Sequence, residues 1–199
     1  MSHHIYHTEA FVIASQDLGE ASRRIMLYTR ELGLLEARAQ GVRKLAAKLR
    51  YGLSEYSLVR VSLVKGKNEW RIVGAIHDNL LNKIAEGRDG RVLIAHVFSL
   101  LERLIHGEGA NHQLFDVLIS GFRYLEIGFP SGNPISKMAN AEIIFVLNIL
   151  YHLGYLSKGE ELARFVEFSD WTGELLDAIT PIRQKVIETI NSSFEHTQL

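Results

Sequence analysis

Near residue 80 the hydrophobic pattern of this chain changes its period, and that change limits the possible folds more than any single motif does. Before it, five short segments rich in β-branched and aromatic residues read as strands: "AFVIA" (10–14), "RRIMLYT" (23–29), "LLEARA" (34–39), "YSLVRVSLV" (56–64) and "EWRIVGAI" (69–76). Gly, Asp, Asn and Ser separate them. In the fourth, Val59, Val61 and Leu63 share one face and Arg60 and Ser62 the other; in the fifth, Trp70, Ile72 and Ile76 fall together opposite Arg71. The link "KGKN" (65–68) suits a hairpin, because Gly66 and Asn68 tolerate positive φ. "RKLAAKLRYG" (43–52) reads as a short helix ended by Gly52.

After residue 80 the apolar residues recur at three and four positions, as in "RVLIAHVFSLLERLIHG" (91–107) and "HQLFDVLISGFRYLEIG" (112–128), both ending at glycine. "PSGNP" (130–134) breaks the pattern, and a helix follows over 136–155 with Ser136 as N-cap and Gly154 as C-cap. The final helix, 180–194, places Thr180 at N-cap, Pro181 at the first helical position, and Ile182, Val186, Ile190 and Phe194 on one stripe. The expectation is an α+β chain with a strand-built domain over 1–79 and a helical domain over 80–199. Five strands with a short helix between the third and fourth is the element order of an OB-fold, a small Greek-key barrel that often binds oligonucleotides.

With 199 residues, 47% of them hydrophobic, the chain can bury a core of its own. No apolar run reaches the length of a membrane span, and the first residues have neither a basic leader nor a secretory apolar core, so a cytoplasmic protein is expected. The sequence holds no cysteine, which excludes disulfides, thiolate zinc sites and cysteine nucleophiles. Enzyme signatures are missing too: there is no GxGxxG, GxxxxGK[ST] or HExxH. His96, His106 and His112 are not at metal-ligand spacing. Glu102 and Asp116 read as solvated helix residues, with Glu102 one turn from His106. No catalytic centre and no cofactor are expected.

Charge is distributed unevenly. Between Arg38 and Arg71 lie nine basic residues (Arg38, Arg43, Lys44, Lys48, Arg50, Arg60, Lys65, Lys67 and Arg71) against Glu55 and Glu69, a local balance of +7 in a chain whose total is −1. The remainder therefore carries −8. A groove lined by Lys and Arg binds the repeating phosphates of a nucleic acid through charge and counterion release, without reading sequence. Tyr51, Tyr56 and Trp70 are the aromatics that could stack on bases, although Trp70 reads more as a core residue than as a platform and a basic loop is often only a solvated face.

The same residues carry a family resemblance. Gly19-Glu20, Arg24, Thr29, Gly33, Gly41-Val42-Arg43-Lys44, Leu49, Leu53 and Tyr56-Ser57 together resemble the N-terminal pattern of RecO, the bacterial recombination mediator, and "ILYHLGYL" (149–156) resembles a helix end of its C-terminal domain. Glu55 departs from the pattern, which commonly has proline there. A four-cysteine zinc site follows the "LGY" segment in many members; here the chain continues "SKGEELARFVEFSDW" and offers no replacement ligands, so a helical domain without zinc is expected.

The resemblance implies a non-catalytic protein that binds single- and double-stranded DNA, anneals complementary strands, and works with RecR and single-strand-binding protein to load RecA. The expected DNA-binding residues are Arg38, Arg43, Lys44, Lys48, Arg50, Lys65, Lys67 and Arg71. Single-strand-binding protein ends in an acidic tail with an apolar last residue, which needs an apolar groove with cations at its rim. Arg103, Arg123, Lys137, Lys158, Arg164, Arg183 and Lys185 are the helical half's main cations, and Arg123, beside Phe122 and Tyr124, is the chosen candidate. The alternative is a protein-interaction adaptor whose barrel does not bind DNA.

Overall fold

The computed structural model describes residues 4–40, 53–128, 134–157, 159–168 and 170–196. Strands β1 (Ile5–Leu18), β2 (Ser22–Thr29), β3 (Gly33–Ala39), β4 (Ser57–Lys65) and β5 (Trp70–Asp78) close into a barrel in the order β1-β2-β3-β5-β4. Only the β3–β5 seam is parallel. This is the OB-fold order. The helix expected over 43–52 lies outside the described residues.

Closure depends on β1, which at 14 residues is far longer than its apolar centre suggests. Ile5–Val12 pair with β4 and Ala10–Leu18 pair with β2, with a bulge between Val12 and Ala14. An extra residue on one strand bends it and increases its twist, which lets one strand form two seams. Inside, the alternating positions Ile25, Leu27, Leu35, Ala37, Val59, Val61 and Leu63 meet in one core with Trp70 and Ile72. On the opposite faces Arg24, Glu36, Arg38 and Arg60 are polar, whereas Tyr28 and Leu58 are buried as well.

A second bulge corrects the expected face of β5. Leu63 pairs with Ile72 and Ser62 with Gly74, so Val73 has no opposite number and the alternation inverts beyond it. Ala75 takes the inward position opposite Val61, and Ile76, expected beside Trp70 and Ile72, is 61% exposed. The β4–β5 turn also forms differently from expectation: the Gly66 N–H donates to the Glu69 carbonyl at 2.8 Å, and neither Gly66 nor Asn68 adopts positive φ.

The helices are α1 (Asn82–Glu86), α2 (Arg88–Leu104), α3 (His112–Ile127), α4 (Pro134–His152), α5 (Ala163–Val166), α6 (Gly173–Ile179) and α7 (Arg183–His196). Two compact units result: Met1–Lys83 with Leu101–His112, and Ile84–Leu100 with Gln113–Leu199. Chain from beyond the barrel, residues 101–112, thus belongs to the barrel's unit. The helical unit is centred on an aromatic series, Phe98 on Phe122, Phe122 on Phe145 and Phe145 on Trp171, with centroids 6.0, 4.8 and 4.6 Å apart. Gly121 makes room for it, since a Cβ there would lie 2.5 Å from the Phe145 ring.

Helix ends follow the sequence at Gly128, which at φ +87° closes α3, and at Gly154, and depart from it at Ser136 and Thr180. Gly154, at φ +80°, ends α4 in a Schellman arrangement, its N–H on the Tyr151 carbonyl and the Tyr155 N–H on that of Leu150. Ser136, however, lies inside α4, which starts at Pro134. Thr180 begins a 3-10 turn (Thr180–Ile182) instead of capping α7, and its hydroxyl accepts from the buried Asn140 amide at 2.9 Å. The stripe on α7 is present, with Val186 and Ile190 buried.

Candidate nucleic-acid interface

Three arginines lie side by side on the outer surface of the barrel. Arg24 pairs with Arg38 across the β2–β3 ladder, and Arg38 pairs with Arg71 across the parallel β3–β5 seam. Their inward neighbours Ile25, Ala37, Ala39 and Ile72 are buried, so the pleat turns all three guanidinium groups outward. The sequence shows Arg38 and Arg71 as parts of one charged stretch, but their adjacency comes only from the non-sequential β3–β5 pairing. Arg24, 14 residues upstream of Arg38, joins the row through the antiparallel β2–β3 ladder.

Two carboxylates thread this row. Glu36 accepts from Arg24 Nε at 3.0 Å; Glu69 lies 3.8 Å from Arg38 and 3.5 Å from Arg71. All five side chains are 40–60% exposed, so each pair is a weak, water-screened contact that a polyanion can replace. Arg38, Gln40, Glu69 and Arg71 line a cleft of about 470 Å³ on this surface. In OB-folds the strand 2–3 face and the loops joining strands 1 and 2 and strands 4 and 5 bind oligonucleotides. Lys67 is exposed on the latter loop.

Lys65 is placed differently from the row. It opposes Trp70 at the closing pair of the β4–β5 hairpin, with its ammonium 4.9 Å from the indole centroid. Both groups bond one carboxylate: Glu108 accepts from Lys65 Nζ at 2.8 Å and from Trp70 Nε1 at 2.8 Å. These two hydrogen bonds, that of Lys65 first, hold the Glu108 carboxyl below its ordinary pKa. Trp70 is 5% exposed, with Tyr6 packed edge-on against it at 5.2 Å. It is a core residue and not a stacking platform.

Arg43, Lys44, Lys48, Arg50 and Tyr51 lie outside the described residues. Tyr56 remains an aromatic open to solvent, 40% exposed, and adopts φ +59°, an unusual conformation for a bulky side chain. Its N–H is fixed to the Val12 carbonyl at 2.9 Å, and the neighbouring Glu55, in place of the common proline, accepts from the Ser15 N–H at 2.8 Å. On the β1–β4–β5 side a groove of about 710 Å³ is lined by His7, Arg30, Arg60, Val73 and Ile76. The bulge at Val73 is what turns these apolar residues outward.

In the helical unit, Arg123 is exposed on α3. The apolar groove of this unit, about 390 Å³, runs between α2, α4 and α7 and is lined by Leu100, Ile143, Ile187, Ile190, Phe194 and Arg183. Three other cations are committed elsewhere: Lys137 is 5% exposed with Asp177 at 3.6 Å, Arg164 donates to the Ala178 carbonyl at 2.8 Å, and Lys185 donates to Glu161; Lys158 lies outside the described residues. His96 meets Glu142 at 2.8 Å, His112 meets Glu31 at 3.8 Å, and His106 turns to the Leu104 carbonyl at 3.1 Å. Among the described residues no three His, Asp or Glu gather to hold a metal ion, and no helix is long and apolar enough to cross a membrane.

Comparison with known proteins places this geometry. Residues 1–74 match the family model described as Recombination protein O N terminal. DNA repair protein RecO of Heliobacterium modesticaldum is 31% identical over 153 residues, 76% of this chain and 52% of the relative. RecO of Dehalococcoides mccartyi is 30% identical over 163 residues, 80% of this chain and 60% of the relative. RecO of Desulfitobacterium hafniense is 39% identical over 64 residues, 32% of this chain. The chain thus spans about half the length of the first of these curated relatives. In sequence over most of its length, and in an OB-fold barrel followed by helices, this chain resembles the RecO recombination proteins, and its first 74 residues match their N-terminal domain.

Proposed function

We propose that this protein is a non-catalytic, DNA-binding recombination mediator of the cytoplasm and nucleoid, organised as an N-terminal DNA-binding barrel over 1–79 followed by a helical domain, with residues 101–112 of the helical half packed in the barrel's unit. The observation that carries the reading is the lateral row of Arg24, Arg38 and Arg71 on the strand face that OB-folds use for oligonucleotides. Such a row follows phosphates without selecting bases, and so accepts single and double strands alike. Annealing then needs no active site. Two complementary strands held on one basic surface repel each other less, and pairing proceeds.

Arg43, Lys44, Lys48 and Arg50 also contact DNA in this reading, with Lys67 on the β4–β5 loop. RecR and single-strand-binding protein are the proposed partners for RecA loading. The groove between α2, α4 and α7 favours a docking role for the helical unit, because its apolar floor with Arg183 beside it suits an acidic, apolar-ended tail better than the isolated Arg123 does. Titration of labelled oligo-dT and of a duplex against salt tests the DNA reading. Linear log–log plots with slopes of several contacts support it. Salt-independent or absent binding to both overturns it, and tail-peptide binding that persists in that case leaves the adaptor function.

A further inference from the structure

The loop 105–111 after α2 is held to the barrel at three places. A Cβ on Gly33, which has φ +73°, would lie 2.4 Å from the Gly109 carbonyl oxygen, so the two backbones touch. The Tyr28 hydroxyl donates to the Asn111 carbonyl at 3.5 Å. The third hold is Glu108 on Lys65 and Trp70, both at 2.8 Å. Glu108 is the loop's sole carboxylate, and it sits on a cation of the most basic stretch of the chain.

The chemistry of that third hold is unusual. Trp70 is a core side chain whose indole N–H reaches the surface at the rim of the barrel, and that N–H needs an acceptor. Lys65 Nζ, beside it, supplies positive charge. Together they form a two-donor site for an anionic oxygen, one donor rigid and one flexible. Glu108 fills it at present, yet its side chain is 44% exposed and that of Lys65 55%. Exposed pairs of this kind are worth little net stability, and another anion can take over both hydrogen bonds without leaving the indole unpaired. The β4–β5 loop that follows Lys65 belongs to the oligonucleotide-binding edge of OB-folds.

We infer that Lys65 and Trp70 form a phosphate subsite for a nucleic-acid backbone, kept closed in the free protein by the Glu108 carboxylate, which a phosphate displaces on binding. This inference rests on the DNA-binding reading above and adds to it a self-limiting contact. Its consequence is selectivity for polyanions held in place by the arginine row: a lone anion gains no more from the subsite than Glu108 already does, whereas a strand anchored at Arg38 and Arg71 brings a further phosphate at high effective concentration.

Glu108→Gln keeps the shape and removes the charge. It should tighten oligo-dT binding by about 3- to 10-fold at low salt and steepen the log–log salt slope by about 0.7, one single-strand phosphate contact. Glu102→Gln, an exposed acid in the same unit, should change it far less. In the unaltered protein, oligo-dT should increase amide hydrogen exchange across residues 105–111. Equal affinities of the unaltered protein and Glu108→Gln, an equal gain from Glu102→Gln, or a loop that gains protection on binding would each overturn the subsite while leaving the DNA reading in place. Absence of oligo-dT binding by both proteins would remove the DNA reading and the subsite together.

Discussion

The arginine row and the barrel rim lie on one barrel and leave their cations in opposite conditions. On the row, three arginines share two carboxylates through contacts of 3.0–3.8 Å, so positive charge exceeds negative along a continuous surface. At the rim one lysine meets one glutamate at 2.8 Å, and the pair is locally neutral. A count of charges along the sequence treats the two alike. The folded chain separates a surface with an excess of positive charge from a pair that is neutral by itself.

Reversing the row should produce the largest effect. Arg38→Glu with Arg71→Glu should weaken oligo-dT and duplex binding on the order of 30-fold at low salt and flatten the single-strand salt slope by about 1.4, two contacts, with little change in melting temperature because both side chains are exposed. Unchanged affinity in a folded double variant places the DNA elsewhere and dissolves the contrast between row and rim. Next comes Gly33→Ala, which attacks the rim through its backbone. The left-handed conformation alone costs about 1–2 kcal/mol for a residue with a Cβ, and the methyl group also collides with Gly109. A barrel destabilised by about 2 kcal/mol, with faster exchange over 105–111, is expected by chemical denaturation and hydrogen exchange; full stability with a protected loop means that the close approach is not needed.

Much of this architecture is visible in the chain before folding. The two-residue period of β2, β3 and β4 and the three-to-four period of α2, α3, α4 and α7 reflect burial of one face, which a sequence records directly. The face of Ile76 is not recorded, because the bulge at Val73 shifts the alternation without leaving a compositional mark. α5 and α6 are too short for periodicity to register, and Thr180 resembles a cap while its hydroxyl serves Asn140. The site divides in the same way. Arg38 and Arg71 are legible as charged residues, but Arg24 enters only through strand pairing, and Glu108 reaches Lys65 from 43 residues away. Non-local contacts of this type are set by topology, which no window of sequence contains.

Single neutralisations on the β4–β5 hairpin sharpen the comparison at smaller amplitude. Lys67→Gln should cost about 3-fold in oligo-dT affinity and about 0.7 in slope, as expected for a solvated lysine meeting one phosphate. Lys65→Gln should cost less, because the charge removed is already offset by Glu108. In a Glu108→Gln background the same Lys65→Gln change should cost as much as Lys67→Gln does. Measured as a double-mutant cycle, that difference is the coupling between Lys65 and Glu108. Additive effects would mean that the two side chains meet without opposing DNA at all.

The smallest expected effect is on acid stability, and its sign follows from the rim. Hydrogen bonds from Lys65 and Trp70 lower the Glu108 pKa from its ordinary value of 4.5 in the folded state, so the unfolded chain takes up this proton more readily than the folded one. The contribution of Glu108 to stability is therefore fully present above its ordinary value and is lost as pH falls through the lower folded one. A partly exposed carboxylate gives only a modest effect, so it must be read as a difference. Denaturation of the unaltered protein and of Glu108→Gln across pH 3 to 7 should show a gap in favour of the carboxylate near neutrality that closes below about 4.5. If the gap at Glu108 stays constant down to pH 3, the carboxylate does not hold the rim by its charge, and the loop is fastened by Gly33, Gly109 and Tyr28 alone.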